Sequence, residues 1–377
     1  PEVERALAAA KPDPASAARV RALRNALRLC ERQAAENLVT GLARQTSAEP
    51  AVAKRVADRA LAIDRDCEPA RRLLGQERFE LAWVGAGTRR SVEAFAKARP
   101  VPANAEWEAL VAARLQAAAT SHVRIEAAGR GSPAALATSV EGVRSRFLGR
   151  AGLDPASGPP AVRAFLVPDD EIQWRKWVVK FAPGDPERWY GVGGLAGAGE
   201  DEFAVCAATA REEAVLAGAL AHRLCHRLDE DLRRAPDADW LAEGLVLDTI
   251  AAPKMRAGPC VDDPQGMADY WRMFGRLGTS EAFDDAAAKD ARAGNDPSLE
   301  KMFEVRLGKL TVREAVKAAA LVRWWSRADP TTFVRVLGAI RAGASFTRAL
   351  ADEAGMTPAE LDDDWREAVR RGPARAR

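Results

Sequence analysis

From residue 209 onward the chain carries one helical apolar period after another: over 209–233, 239–252, 264–276, 296–306, 311–326, 330–342, 345–354 and 357–370. A period of 3.6 residues turns a single face toward a core in a helix and scatters that face in a strand, so this half of the molecule has to be built from packed helices. Only three earlier runs have strand character: His122–Glu126, Ala161–Val167 and Glu202–Cys206. A few strands ahead of a long succession of helices predicts an α+β fold, predominantly helical, with a small twisted sheet and a helical C-terminal half. Thr357-Pro358-Ala359-Glu360 has the form of a capping box with proline at the first helical position, which fixes where the last helix begins.

Residues 1–98 read as all-helical, because Ala, Leu, Arg and Glu dominate and glycine is rare. Within them, Val56, Ala57, Ala60 and Leu61 form one apolar face, Asp64-Arg65-Asp66 forms a turn, and Ala70, Leu73 and Leu74 begin a second face. The rhythm resembles one tetratricopeptide-type repeat. A generic helical hairpin accounts for it equally, since repeat arrays need several copies to bury their faces. Arg99-Pro100-Val101-Pro102 is the expected linker, dividing a helical segment at 1–98 from a second domain at 103–372. Trp107–Ala119, Leu136–Leu148 and Glu171–Val179 read as helices, and Tyr190–Gly199 as a glycine-rich loop.

With 56 basic and 54 acidic residues the formal charge is +2, a balance that argues against a nucleic-acid binder. Five cysteines at wide spacing, with no Cys-x-x-Cys pair, read as buried free thiols. No apolar run approaches the ~20 residues needed to span a bilayer. The chain starts at Pro1 without a methionine, as after removal of a signal peptide or a tag, which leaves the compartment open between an extracytoplasmic setting, secreted or periplasmic and the one slightly favoured, and a cytoplasmic one.

Two of the three histidines, His222 and His226, stand four apart in a helical segment, which puts both imidazoles on one face. Asp229 falls within 20° of the same direction on a helical wheel of ~100° per residue and is the expected hydrogen-bonding partner of an imidazole. Glu243 follows in Trp240-Leu241-Ala242-Glu243-Gly244-Leu245, at the start of the next apolar segment. Two histidines at i and i+4 with a later carboxylate form a donor set suited to Zn²⁺. By spacing alone, a pair of packed histidines is the simpler account. Cys225 beside His226 points ~100° away from it and reads as a packed thiol. Gly191-Val192-Gly193-Gly194 lacks the Lys-Ser/Thr of a phosphate loop.

The wider order of motifs resembles the gluzincin metallopeptidases, in the peptidase-MA-like branch seen in many bacteria. In that family a strand and a glycine-containing loop precede a helix bearing His-Glu-x-x-His, and a Trp-Leu-x-Glu-Gly-Leu segment follows. Here the counterparts are Tyr190–Gly194, Phe203–Cys206, His222 to His226, and Trp240–Leu245, with Trp324-Trp325 and Leu361–Trp365 further on. The resemblance spans about 105–370 and implies His222, His226 and Glu243 as zinc ligands. It places Gly193, Gly194, Phe203 and Val205 along a substrate groove. The decisive departure is Arg223, which stands where the family has its general base. Arginine cannot accept a proton at physiological pH. At ~5 Å and an effective dielectric near 20, its charge also costs a dication several kcal/mol. Only Tyr190, Tyr270 and His122 remain for an oxyanion-stabilising role.

Two functions follow as expectations. The first is a catalytically impaired zinc-peptidase-like protein, a pseudopeptidase that binds or scaffolds a peptide or protein partner, with Arg223 forking onto Glu243 and Zn²⁺ either bound or replaced. The alternative is an active zinc-dependent hydrolase with a displaced base at Glu212, Glu213, Asp229 or Glu230.

Overall fold

A computed structural model of the chain describes residues 14–43, 49–129, 132–156, 163–181, 195–198, 202–205, 213–235, 237–251, 280–306 and 309–371. The first part runs α1 (Pro14–Ala43), α2 (Pro50–Ile63), α3 (Glu68–Leu73), β1 (Gln76–Phe79), β2 (Ala82–Gly85), α4 (Thr88–Phe95), β3 (Arg99–Pro100), α5 (Ala105–Val111), β4 (Gln116–Ala119) and β5 (Val123–Ala127). There follow α6 (Pro133–Arg150), β6 (Arg163–Val167), α7 (Glu171–Phe181), β7 (Leu195–Ala198) and β8 (Glu202–Val205). The remainder is helical: α8 (Glu213–Leu228), α9 (Glu230–Arg234), α10 (Asp239–Ile250), α11 (Ser280–Arg292), α12 (Leu299–Met302), α13 (Val312–Ala328), α14 (Pro330–Arg341), α15 (Phe346–Ala354) and α16 (Pro358–Arg371). The fold is α+β and predominantly helical, and no described helix is long and apolar enough to cross a membrane.

The sheet has six strands in the order β3-β4-β5-β6-β8-β7, parallel at β5/β6 and β6/β8 and antiparallel elsewhere. Alternation along the strands covers both faces. Ile125, Phe165, Val167 and Phe203 point into the large core with α6, α8, α10 and α13. Leu166 and Ala204 point the other way, to Trp107, Trp174, Trp177 and Val178 on α5 and α7. These tryptophans are core residues, as their helical positions imply.

Four segments depart from the sequence reading. Residues 1–98 are not all-helical, for β1 and β2 form an antiparallel hairpin. It opens after Gly75 in the left-handed region (φ 71°), and an average over composition conceals the short Phe79 to Val84 alternation. Second, the helix at Trp107 ends at Val111, where Ala112 turns left-handed (φ 52°), and Gln116–Ala119 pairs with β5. Alanine favours helix, but the vacant edge of β5 outweighs that propensity. Third, Arg99-Pro100 is an edge strand against Ala118 and Ala119 rather than a linker, a place where proline's missing N–H costs nothing. Fourth, Leu195–Ala198, inside the glycine-rich stretch, is the opposite edge strand.

In the lead-in, the turn stands where the aspartates foretold. Asp64 Oδ1 accepts the Asp66 amide at 3.0 Å, and α3 then stops after six residues. A hairpin follows α3, so among the described residues no second repeat stacks on the first. Ala35, Val39, Ala57, Ala60, Cys67 and Ala70 make a small core of their own, whereas Leu81 and Ala98 pack on the large one. The Thr357/Glu360 capping box closes as read, with Thr357 N–H donating to Glu360 Oε2 (2.7 Å) and Glu360 N–H to Thr357 Oγ1 (3.3 Å). The segment 264–276 lies outside the described residues.

Candidate metal centre

Every residue of α10, from Asp239 to Ile250, is buried. A helix wetted on no side is the central element of its layer, and each charge on it needs a partner inside the protein. Glu243 and Asp248 are the carboxylates that matter here. Glu243 faces α8. Its Oε1 lies 3.2 Å from His222 Nε2 and its Oε2 lies 2.8 Å from His226 Nε2, with all three side chains at most 4% exposed. The two imidazoles are edge-to-face, 4.6 Å between centroids. One donor atom from each residue falls within a 4.8 Å cluster. His222, His226 and Glu243, three groups drawn from two helices, are therefore brought together.

Burial by itself would push the Glu243 carboxyl up, but the charge and hydrogen bonds of His222 and then His226 outweigh it and hold the group well below the usual carboxylate range. An ionised carboxylate only accepts, so both Nε2 atoms carry hydrogen in this arrangement. The same three atoms fit a metal. Donor atoms bonded to a four-coordinate zinc lie roughly 3.4 Å apart, close to the two N···O separations seen. Two imidazoles and a carboxylate form a borderline-soft set that suits Zn²⁺ better than Ca²⁺ or Mg²⁺. Thus the buried group can hold a metal ion, with one coordination position left for another ligand.

The helices are held from outside the cluster. On α10, Asp248 accepts from Arg323 Nε (2.7 Å) and pairs with Arg150. Gly244, next to Glu243, lets α13 approach so closely that a Cβ there would stand 2.6 Å from Ala318 O. Trp240 packs edge-to-face on Phe346 at 5.1 Å, while Asp237 takes the Phe346 and Thr347 amides at the start of α15. Trp240 and Gly244 entered the sequence reading only as parts of the Trp240–Leu245 motif, and Asp248, Arg150, Asp237 and Phe346 did not enter it. The available signal was Asp248, a second charge inside an otherwise apolar helical run.

Other expected site residues lie elsewhere. Asp229 does not support an imidazole: α8 ends at Leu228, and the Asp229 carboxylate is clamped by Arg341 at 2.6–3.2 Å. Arg223 does not fork onto Glu243, whose two oxygens face the histidines; its guanidinium lies over the Phe203 ring, 5.1 Å from the centroid. Phe203 is not a groove wall, being fully buried and stacked on Phe165 at 5.2 Å. Val205 contributes backbone to β8, paired with Leu195. Gly193, Gly194, Tyr190, Tyr270 and Glu212 lie outside the described residues, as does the side chain of Glu213. His122 is buried in its own cluster, its Nδ1 2.8 Å from Glu141 Oε1. Glu230 pairs with Arg227 at 3.0 Å. Cys30, Cys67 and Cys225 are free thiols; Cys67 and Cys225 are buried as expected, but Cys30 is exposed on α1, and burial pushes the Cys225 thiol far up, which makes it inert.

No protein-family model, curated protein or solved structure matches the chain.

Proposed function

We propose that this chain is a zinc-binding protein of the gluzincin type that has lost hydrolytic chemistry and works as a binding or scaffold module for a peptide or protein. The reading is carried by the convergence of His222, His226 and Glu243, buried, on two adjoining helices in the order and spacing of such a site. His222 and His226 would hold the ion through Nε2 and Glu243 through a carboxylate oxygen. Bound there, zinc supplies a Lewis acid able to polarise a carbonyl oxygen or lower the pKa of water. A working hydrolase also needs a proton acceptor beside that water. Among the described side chains, Arg223 cannot be one, Asp229 is committed to Arg341, and Glu230 is turned to Arg227; Glu212 and the side chain of Glu213 lie outside them.

The test is a peptide-library digest of zinc-loaded native protein beside Arg223→Glu and the double variant Arg223→Glu, His222→Ala. The native chain is expected to leave peptides intact. Arg223→Glu is expected to gain cleavage at least ~100-fold over background, the usual worth of a general base, and the double variant to lose it. Chelator-sensitive cleavage by the native chain would overturn the non-catalytic reading.

A further inference from the structure

Lys317, on α13, carries its amine into the interior, with its side chain 1% exposed. Its Nζ lies 2.8 Å from Asp296 Oδ2, donates to Pro297 O, and stands 5.0 Å from the Trp365 ring centroid. Asp362, on α16 and 3% exposed, has its two oxygens placed differently. Oδ2 accepts the Leu299 amide at 2.9 Å and lies 3.1 Å from Arg366 Nη2. Oδ1 is buried and receives no hydrogen bond, although Lys317 Nζ is 2.5 Å from it. An ammonium in a buried ion pair aims an N–H at its oxygen from about 2.7–2.9 Å. This nitrogen is closer than that and out of line, so hydrogen bonding does not account for the contact.

We propose that Lys317 and Asp362 are joined by an amide bond, formed by the folded chain itself, which ties α13 to α16. The parts that such a reaction needs surround the pair. Nζ gives one proton to Oδ1, leaving an amine and an acid, an exchange that removes two buried charges at once. Nζ then bonds to the Asp362 Cγ and gives a second proton to Asp296, the base in contact with it. The negative charge that develops on Oδ2 falls between the Leu299 amide and Arg366, donors already in place. Asp296 returns its proton to Oδ1, the Cγ–Oδ1 bond breaks, and one water leaves. An ammonium and a carboxylate have become an amide and a water, with no oxidant, reductant or cofactor. Arg366 stays paired with Asp296 at 3.0 Å, so no charge is stranded. Holding the two groups at contact supplies the effective concentration that amide formation in water lacks. The inference is independent of the metal centre, with which the cluster shares no residue.

Intact-mass spectrometry of purified full-length native protein in denaturant, followed by tandem spectrometry of a tryptic digest, tests the proposal. The chain is expected to be lighter than its sequence by one water. Trypsin is expected to leave Lys317 uncut and to release 314–323 and 349–366 as one branched peptide, joined at Lys317 and Asp362. Lys317→Arg keeps the charge without the amine and is expected to have its full sequence mass. Asp296→Asn keeps the shape without the base. It is expected to be recovered without the bond, since a positioned base is worth ~100-fold or more in rate. The proposal is overturned if native protein has its full sequence mass, if the water loss persists in Lys317→Arg, as it would from a cyclised aspartate, or if Asp296→Asn carries the bond in full. Should a variant fail to fold, the native mass and its branched peptide decide alone.

Discussion

Glu243 must be ionised for two imidazoles to donate to it at 3.2 and 2.8 Å, and it is ionised at a depth where a lone carboxylate would not be. Removing one member of a buried charged cluster typically costs 3–5 kcal/mol. We therefore expect Glu243→Gln to lower the unfolding free energy of metal-free protein by about 3 kcal/mol, read from urea melts. The pH dependence follows from the depressed carboxyl. The carboxyl's stabilising effect is complete above its ordinary value of 4.5 and is lost as pH falls below that toward the folded value. Native protein should accordingly lose stability on acidification below 4.5 more steeply than Glu243→Gln does. At this scale the sequence was legible in types and spacing: His222, His226 and Glu243 converge as their positions implied. It misled at Asp229. A helical wheel assumes a continuing helix, and the backbone leaves it at Asp229 itself (φ −133°, ψ 62°), which turns the carboxylate to Arg341.

Among the elements, α8 and α10 carry the metal centre, and α13 packs against α10 at Gly244, where no side chain stands between them. A methyl group there meets backbone, which cannot swing aside as a side chain can. Gly244→Ala should cost about 1–3 kcal/mol by overpacking and should weaken metal binding beyond that of a surface control, because Glu243 moves with its helix. Thermal melts and a zinc titration of the same variant check both parts. Periodicity made α8 and α13–α16 readable because a 3.6-residue repeat accumulates along each, whereas α10, buried on every side, was readable by the length of its apolar run. The hairpin at Gln76–Gly85 and the strands β3, β4 and β7 did not register. Each is two to four residues long, too short for a two-residue alternation to stand out from the composition around it.

For the whole molecule, the distribution of apolar contacts separates a large core from a small one. The sheet, α6 and the C-terminal helices share the first, while among the described side chains the lead-in has four alanines, Val39 and Cys67, with Leu61, Ile63 and Leu74 half-buried against them. A cluster led by alanines buries little area. The lead-in is tied to the rest largely by polar contacts, among them Arg28 to Thr332 at 2.9 Å and Asp66 to Thr331. It should open first. Hydrogen exchange by mass spectrometry is expected to show α1–α3 losing protection at lower denaturant than α8, α10 and α13. A single cooperative loss across all of them would contradict this.

The central claim is that His222, His226 and Glu243 act together as ligands of one ion. Zinc titration of chelator-stripped native protein, alongside His222→Ala, His226→Ala and Glu243→Gln, tests it most directly. The account predicts one equivalent bound by the native chain and affinity lost in every variant. Native protein that binds no zinc, or zinc binding indifferent to all three substitutions, would contradict it.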